Sequence, residues 1–368
     1  MNSPDRNHIL QAISDDESEA LLFAGLREVL GSGSGPVQDG INTRIAQEAL
    51  ALAARQFLDL MVARGLQCLG AAEDATGLDG RSKRELRRAL MLERDRLSIS
   101  KALASKGIEH LFFKGALSDS LWWDGQGMRG AGDLDILIPP SAEAESTAAL
   151  KNLGYKQKRT MSNLASEKAS KERLFYHEDL KTHFPVDLHI GLLNEPPYRD
   201  PAAQVLRRAM VYETATGSIR GPCREDMLLI AAGNLGQSCF AERYKLVVDA
   251  ACLLLREPLD FREVVSRAKE CNVTTPLWGL LRLVEERLHV AVPGWLLREL
   301  APFRPLRGMV ELVAGVTRAP WHPNSSGKLV LASWPLSGRA FWPVLATWRW
   351  AQFRIANILH QNSESPNN

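Results

Sequence analysis

The stretch GMRGAGDLDILIPP, residues 127–140, sets two aspartates, Asp133 and Asp135, at the head of the apolar run Leu134, Ile136, Leu137 and Ile138. Successive side chains of a strand point to opposite faces, so Asp133 and Asp135 share one face while Leu134 and Ile136 take the core side. FPVDLHIGL, residues 184–192, repeats the pattern: Val186, Leu188 and Ile190 alternate with Asp187 and His189. If the two strands are neighbours, Asp133, Asp135 and Asp187 converge. Three adjacent carboxylates do not all stay ionised without a cation. Hard oxygen donors with positions left over for phosphate and water suit Mg²⁺. One ion can neutralise a phosphate; two can hold the attacking and leaving oxygens of a phosphoryl displacement. Taken singly each signal is weak. A D-x-D at a strand end also serves as a turn or cap, and Asp187 with His189 also makes an ordinary hydrogen-bonded pair.

The elements that must position these groups are legible around them. In FFKGALSDSL, residues 112–121, a strand ends at Lys114-Gly115 and a helix starts near Ala116. Gly115 lets backbone approach a phosphate, and a helix N-terminus offers free N–H groups and a positive dipole end. The Gly-rich loop DGQGMRGAGD carries Arg129, which either neutralises phosphate or pairs with the aspartates. IEHLFF (108–113), LDILI (134–138), RLFYHE (173–178) and FPVDLHIGL read as strands. SAEAESTAALKNLGY (141–155) reads as a helix with Ser141 as N-cap. Residues 108–192 thus form a small mixed α/β unit. Before it, helices are expected over 17–30, 41–66 and 82–105, the last with Ser82 as N-cap, and GSGSGPVQDG (31–40) as a flexible linker. The run SKRELRR (82–88) reads as a solvated helix face, with an RNA- or phosphate-binding patch as the alternative. After Asp200, helices are expected over 200–209, 224–238, 242–256, 260–271, 274–288 and 293–300. In ERYKLVVD, Lys245 and Asp249 lie one turn apart and can pair; the functional alternative turns Lys245 to a nucleotide.

This order of elements resembles the nucleotidyltransferase fold of the DNA polymerase β superfamily. More narrowly, "FFKGALSDSL…MRGAGDLDILI…AALKNLGY…VDLHIGL" resembles a bacterial, largely uncharacterised nucleotidyltransferase family. That pattern is a KG turn, R-x-x-x-D-x-D, a helix ending in Gly-Tyr, and a D-L-H strand; REDMLLIAAGN and RYKLVVDAACLL extend it, so that it spans roughly residues 85–300. The resemblance implies Asp133 and Asp135 as Mg²⁺ ligands and Asp187 as a third carboxylate, binding metal or taking the acceptor proton. It also implies Lys114 and Gly115 bordering the triphosphate, with Arg129 and Lys245 as further nucleotide contacts. His189 reads as a hydrogen-bond partner of Asp187 rather than as a ligand. The broad superfamily carries Gly-Ser or Gly-Gly where this chain has Lys114-Gly115, which removes a hydroxyl that often touches phosphate. Asn234 stands where the narrower family often has His.

The implied activity is transfer of a nucleoside monophosphate from an NTP, ATP in the first instance, to an acceptor held between the α/β unit and the C-terminal helices, with pyrophosphate leaving. One or two Mg²⁺ ions are the implied cofactor. The acceptor is a small molecule, peptide, protein or RNA end. The rivals are a non-catalytic nucleotide- or partner-binding protein and a phosphotransferase using the same metal site.

Bulk properties bound the rest. The chain has 368 residues and a net charge of +2, so no overall field selects nucleic acid or membrane. Cys68, Cys223, Cys239, Cys252 and Cys271 form no CxxC pair and read as reduced thiols in a cytoplasmic protein. No apolar signal core opens the sequence, and no apolar stretch is long enough to span a bilayer. Trp321, Trp334, Trp342, Trp348 and Trp350 read as core or interface anchors, with a membrane-surface helix as the alternative. The expected architecture is α+β, a small mixed-sheet nucleotidyltransferase core flanked by N-terminal helices and a C-terminal helical domain. The expected division is 1–107 helical, 108–198 the α/β core, 199–302 helical, and 303–368 an aromatic-rich segment.

Overall fold

Short alternating runs build a mixed sheet of strands β1 (Leu111–Phe113), β2 (Leu134–Leu137), β3 (Tyr155–Gln157), β4 (Glu172–His177) and β5 (Val186–His189). The computed structural model describes residues 4–32, 41–158, 171–193, 197–240, 243–315 and 336–337. The sheet order is β1-β2-β5-β4-β3, with β2 and β5 parallel at the centre and the other pairs antiparallel. Parallel neighbours need a crossover, which here contains helix α7 (Glu143–Asn152).

Helices precede and follow the sheet. The first are α1 (Pro4–Leu30), α2 (Thr43–Ala54), α3 (Asp59–Cys68), α4 (Glu73–Thr76) and α5 (Leu78–Ala104), and α6 (Gly115–Trp122) lies between β1 and β2. After the sheet come α8 (Ala202–Arg207), α9 (Arg224–Gln237), α10 (Arg243–Arg256), α11 (Phe261–Cys271), α12 (Thr274–Leu288), α13 (Gly294–Leu300) and α14 (Arg304–Ala314). Strict alternation puts the two sheet faces against different helices. Phe112, Leu134, Ile136, Val186 and Leu188 pack with Ile99 and Leu103 of α5 and Leu150 of α7. Leu111, Phe113 and Leu137, on the face that also carries Asp135, join the core of the N- and C-terminal helices. The architecture is α+β, a small mixed sheet between helical layers.

Several boundaries differ from the sequence reading. The first helix runs from Pro4 rather than residue 17; proline is tolerated at a first helical position, where no intrahelical N–H bond is needed. The expected 41–66 helix is broken, because Phe57 adopts φ 57° between α2 and α3. Helix α5 begins at Leu78, and Ser82 lies inside it, its hydroxyl donating to the Leu78 carbonyl at 2.8 Å instead of capping. Ser141 sits in a 3₁₀ turn, Pro140–Ala142, and α7 starts without a side-chain cap. The hairpin β6 (Met210–Thr214) and β7 (Gly217–Gly221) fills the stretch between the helices expected over 200–209 and 224–238; of its alternating residues Tyr212 and Ile219 are the large apolar ones buried, too few for a clear strand signal. Cys68 is exposed; the other four cysteines are buried. Among the described residues no helix is long and apolar enough to cross a membrane. Most of the expected 31–40 linker and all five C-terminal tryptophans lie outside the described residues.

Candidate active site

Register brings the carboxylates together. Asp135 of β2 lies directly opposite Asp187 of β5, and Leu137 opposite His189. Asp135, Asp187 and His189 each offer one atom within 4.8 Å of the others. Asp135 is buried, and both Lys114 Nζ at 2.6 Å and His189 Nε2 at 3.0 Å meet the same oxygen, Oδ1. His189 therefore partners Asp135, not Asp187 as its place on the strand suggested. Its ring also packs edge-on against Phe113, centroids 5.0 Å apart. Burial would raise the Asp135 pKa, but the Lys114 ammonium and the His189 contact win and hold it well below the ordinary carboxylate range.

Asp187 is in the opposite condition. Its Oδ1 is buried without a hydrogen-bond partner among the described residues. Burial, then the neighbouring charges of Glu172, Asp133 and Asp135, push its pKa far above the carboxylate range. An orphaned acceptor in a nest of like charges fits a cation site. The donors, carboxylate oxygens with one imidazole at the edge, suit a hard divalent ion. Glu172 is a member of this group that the sequence reading missed. It lies on β4, two residues from Leu174, which faces Asp187 in register. The alternation Glu172, Leu174, Tyr176 was the signal available.

Lys114 bridges strand and helix. It precedes α6 with φ 56° and ψ −135°, its carbonyl accepting from the Ser118 N–H at 2.9 Å. A non-glycine residue there carries strain of about 1–3 kcal/mol, a feature that clusters at ligand sites. The next residue has no room for a side chain: a Cβ on Gly115 would come 2.7 Å from Ala131 Cβ. The first turn of α6 and the Gly-rich loop are thereby pressed together beside Asp135.

Three anchors hold that loop. Phe57, between α2 and α3, accepts from the Gly130 N–H at 3.0 Å, and its ring fills the space a Cβ on Gly132 would need, 2.7 Å away. Asp119 of α6 accepts the Gly127 and Arg129 backbone N–H groups at 2.8 and 2.9 Å. Arg129 forks onto Asp249 of α10 with both bonds at 3.0 Å and donates to the Gly130 carbonyl at 2.6 Å. The guanidinium is 2% exposed and its donors are turned to these groups. The structure thus pairs Arg129 with Asp249 rather than with the site aspartates. It also takes Asp249 from Lys245: the expected i, i+4 pair is displaced by a buried fork. The Lys245 N–H meets the Gln56 side chain at 3.3 Å.

Asp119→Ala should loosen the loop. It leaves two buried N–H groups without acceptors, and each hydrogen bond to a charged group is worth about 1.5–3 kcal/mol. Urea unfolding should show a lower midpoint with unchanged slope. The pH sign follows from burial, which outweighs those bonds and pushes the Asp119 pKa up to about 6 from 3.8. The folded state then binds the proton more tightly than the unfolded chain. The carboxyl's titration contributes most below pH 3.8 and that contribution is lost as pH rises through about 6. The stability gap between wild type and variant should narrow over the same interval; a gap that widens there would overturn the assignment.

Residues 43–289 match a family described as uncharacterised nucleotidyltransferase. No curated protein matches the chain. Among solved structures, the solution structure of the antibiotic-resistance factor ANT(2'')-Ia, titled for its substrate-regulated conformation dynamics, aligns with 48% of this chain and 89% of that one. The identity is 14% and the TM-score 0.35.

Proposed function

The chain belongs to the uncharacterised nucleotidyltransferase family, and from that premise we propose that it moves a nucleoside monophosphate from an NTP to an acceptor. The observation that carries the reading is the buried, partnerless Asp187 Oδ1 beside Asp135. Asp135 and Asp187, with Asp133 at the strand entrance, would hold Mg²⁺. Bound there, the ion supplies the charge neutralisation that a triphosphate needs and lowers the pKa of the acceptor hydroxyl.

The chain's own groups do the rest. The free N–H groups at the start of α6 and the Lys114 ammonium, 25% exposed, face the triphosphate. The strained Lys114 backbone aims that ammonium at the site without a search among rotamers of a relaxed loop. The acceptor oxygen bonds to the α-phosphorus, the bond from that phosphorus to the bridging oxygen breaks, and pyrophosphate departs. The acceptor proton passes to the Asp187 carboxylate. His189, with Phe113 behind its ring, fixes the Asp135 carboxylate in place.

Product analysis with ATP across an acceptor panel tests the reading. Pyrophosphate release with an adenylated acceptor is the expected result. ADP release would make the protein a phosphotransferase, and neither product with intact Mg²⁺-dependent ATP binding would make it a binding protein.

A further inference from the structure

The sequence reading put the acceptor between the α/β unit and the C-terminal helices. There the described residues leave a largely apolar void of about 30 Å³, too small for an acceptor. A far larger groove, about 520 Å³, opens elsewhere, between α5 and the turn before β5. Lys83, Arg84, Arg87 and Arg88 line one wall and Lys181 the other, and no carboxylate is among its lining residues. Gly80, Lys83, Arg84, Arg87, Arg88 and Met91 follow the spacing of a single helix face. The SKRELRR run therefore edges a concave surface, rather than being only a solvated face.

The charge is not used up internally. Asp59 and Glu85 pair with Arg81, Arg84 and Arg88, and Asp79 pairs with Lys83. The five cations of residues 81–88 thus meet three carboxylates. Arg87 is exposed and has no ion pair among the described residues. Arg88 is held rigid, its guanidinium 5.6 Å from the Phe57 ring centroid and 5.1 Å from that of Phe184. The groove also reaches the candidate site. Gly132 and Pro185, both in its lining, immediately precede Asp133 and Val186, and the Leu134 N–H donates to the Pro185 carbonyl at 2.9 Å.

We propose that this groove binds the phosphodiester backbone of a single-stranded nucleic acid. That the strand's end is the acceptor rests on the nucleotidyl-transfer reading; the binding does not. Guanidinium forks match phosphate oxygens bidentately. The stripe from Gly80 to Met91 runs about 16 Å along the helix, room for more than one phosphate, so a lone phosphate would leave most of it unmatched. Of the two rings in the lining, Phe184 lies against the Arg88 guanidinium and His183 packs on His177 with its Nδ1 2.9 Å from Asp95 Oδ1, so the groove positions a strand through its backbone. The +2 net charge of the whole chain conceals this local excess.

Fluorescence anisotropy of the full chain with a short fluorescein-labelled oligouridylate tests it, with labelled polyglutamate as a second probe. The oligouridylate should bind with a marked salt dependence. Arg87→Glu should weaken it several-fold and lower the slope of log affinity against log salt by about 0.7 for each phosphate of the single strand that is no longer neutralised. Arg87→Lys should keep most of the affinity, and both variants should fold because Arg87 is exposed. Absence of binding, binding indifferent to Arg87→Glu, or equal affinity for polyglutamate would overturn the proposal, the last in favour of an acidic protein surface. Mg²⁺-dependent ATP binding, measured in parallel, separates the two readings: its absence from wild type would sink nucleotidyl transfer and leave strand binding standing.

Discussion

Asp135→Asn should lower nucleotidyl transfer by about three orders of magnitude, the scale seen when a group that stabilises transition-state charge is removed. The side chain keeps its shape and its place opposite Asp187, so the sheet should persist. What disappears is the negative charge against which Lys114 and His189 are arranged. Lys114 then faces the site with no carboxylate partner at 2.6 Å, and a cation loses a ligand oxygen. Calorimetric titration of ATP should show the Mg²⁺-dependent part of binding abolished, with circular dichroism unchanged. A variant that keeps near wild-type turnover would mean the metal is held elsewhere.

Arg129→Ala should cost about 3–5 kcal/mol of stability, because removing one partner of a buried ion pair leaves the other charged and unpaired. Asp249, itself buried, would be deprived of its forked ion pair. Urea unfolding reads the loss directly. Replacing both partners with apolar residues of similar volume, Arg129→Met with Asp249→Leu, should recover much of it, since the penalty lies in the orphaned charge. The folded fraction of Arg129→Ala should bind ATP with nearly unchanged affinity. If the variant is as stable as wild type and yet fails to bind ATP, the guanidinium belongs to the triphosphate after all.

What could be read from the sequence depended on range. The convergence of Asp135 and Asp187 followed from period-two alternation in two short strands, and the observed register brings them opposite each other. The Lys114-Gly115 turn and the helix after it were equally local, and α6 begins at Gly115. Arg129 is different. Its chemistry permits phosphate or carboxylate, and the choice was made by Asp249, 120 residues away. Nothing in ERYKLVVD distinguishes an i, i+4 partner from a distant one. Phe57 was unreadable for a related reason: an Ala- and Leu-rich stretch favours unbroken helix, and the break answers to the space beside Gly132. Glu172 was legible in principle, but its strand is flanked by residues with no clear turn signal, and its neighbour in the sheet could not be fixed from spacing.

The fork between Arg129 and Asp249 also has a bearing on the order in which the protein is made. Synthesis runs from the N-terminus, and a ribosome that has released the sheet has not yet released α10. Through that interval the Gly-rich loop has Phe57 and Asp119 to hold it, but its arginine lacks the Asp249 carboxylate onto which it forks. The same lag separates Glu19 from Tyr244, whose hydroxyl donates to the Glu19 carboxylate at 3.1 Å across 225 residues. The last anchor of the Gly-rich loop is therefore set late, after the helices that follow the sheet have emerged. A chain truncated before α10 carries the paired strands and their carboxylates with one of the three loop anchors missing, so premature products of translation present an uncompensated Arg129.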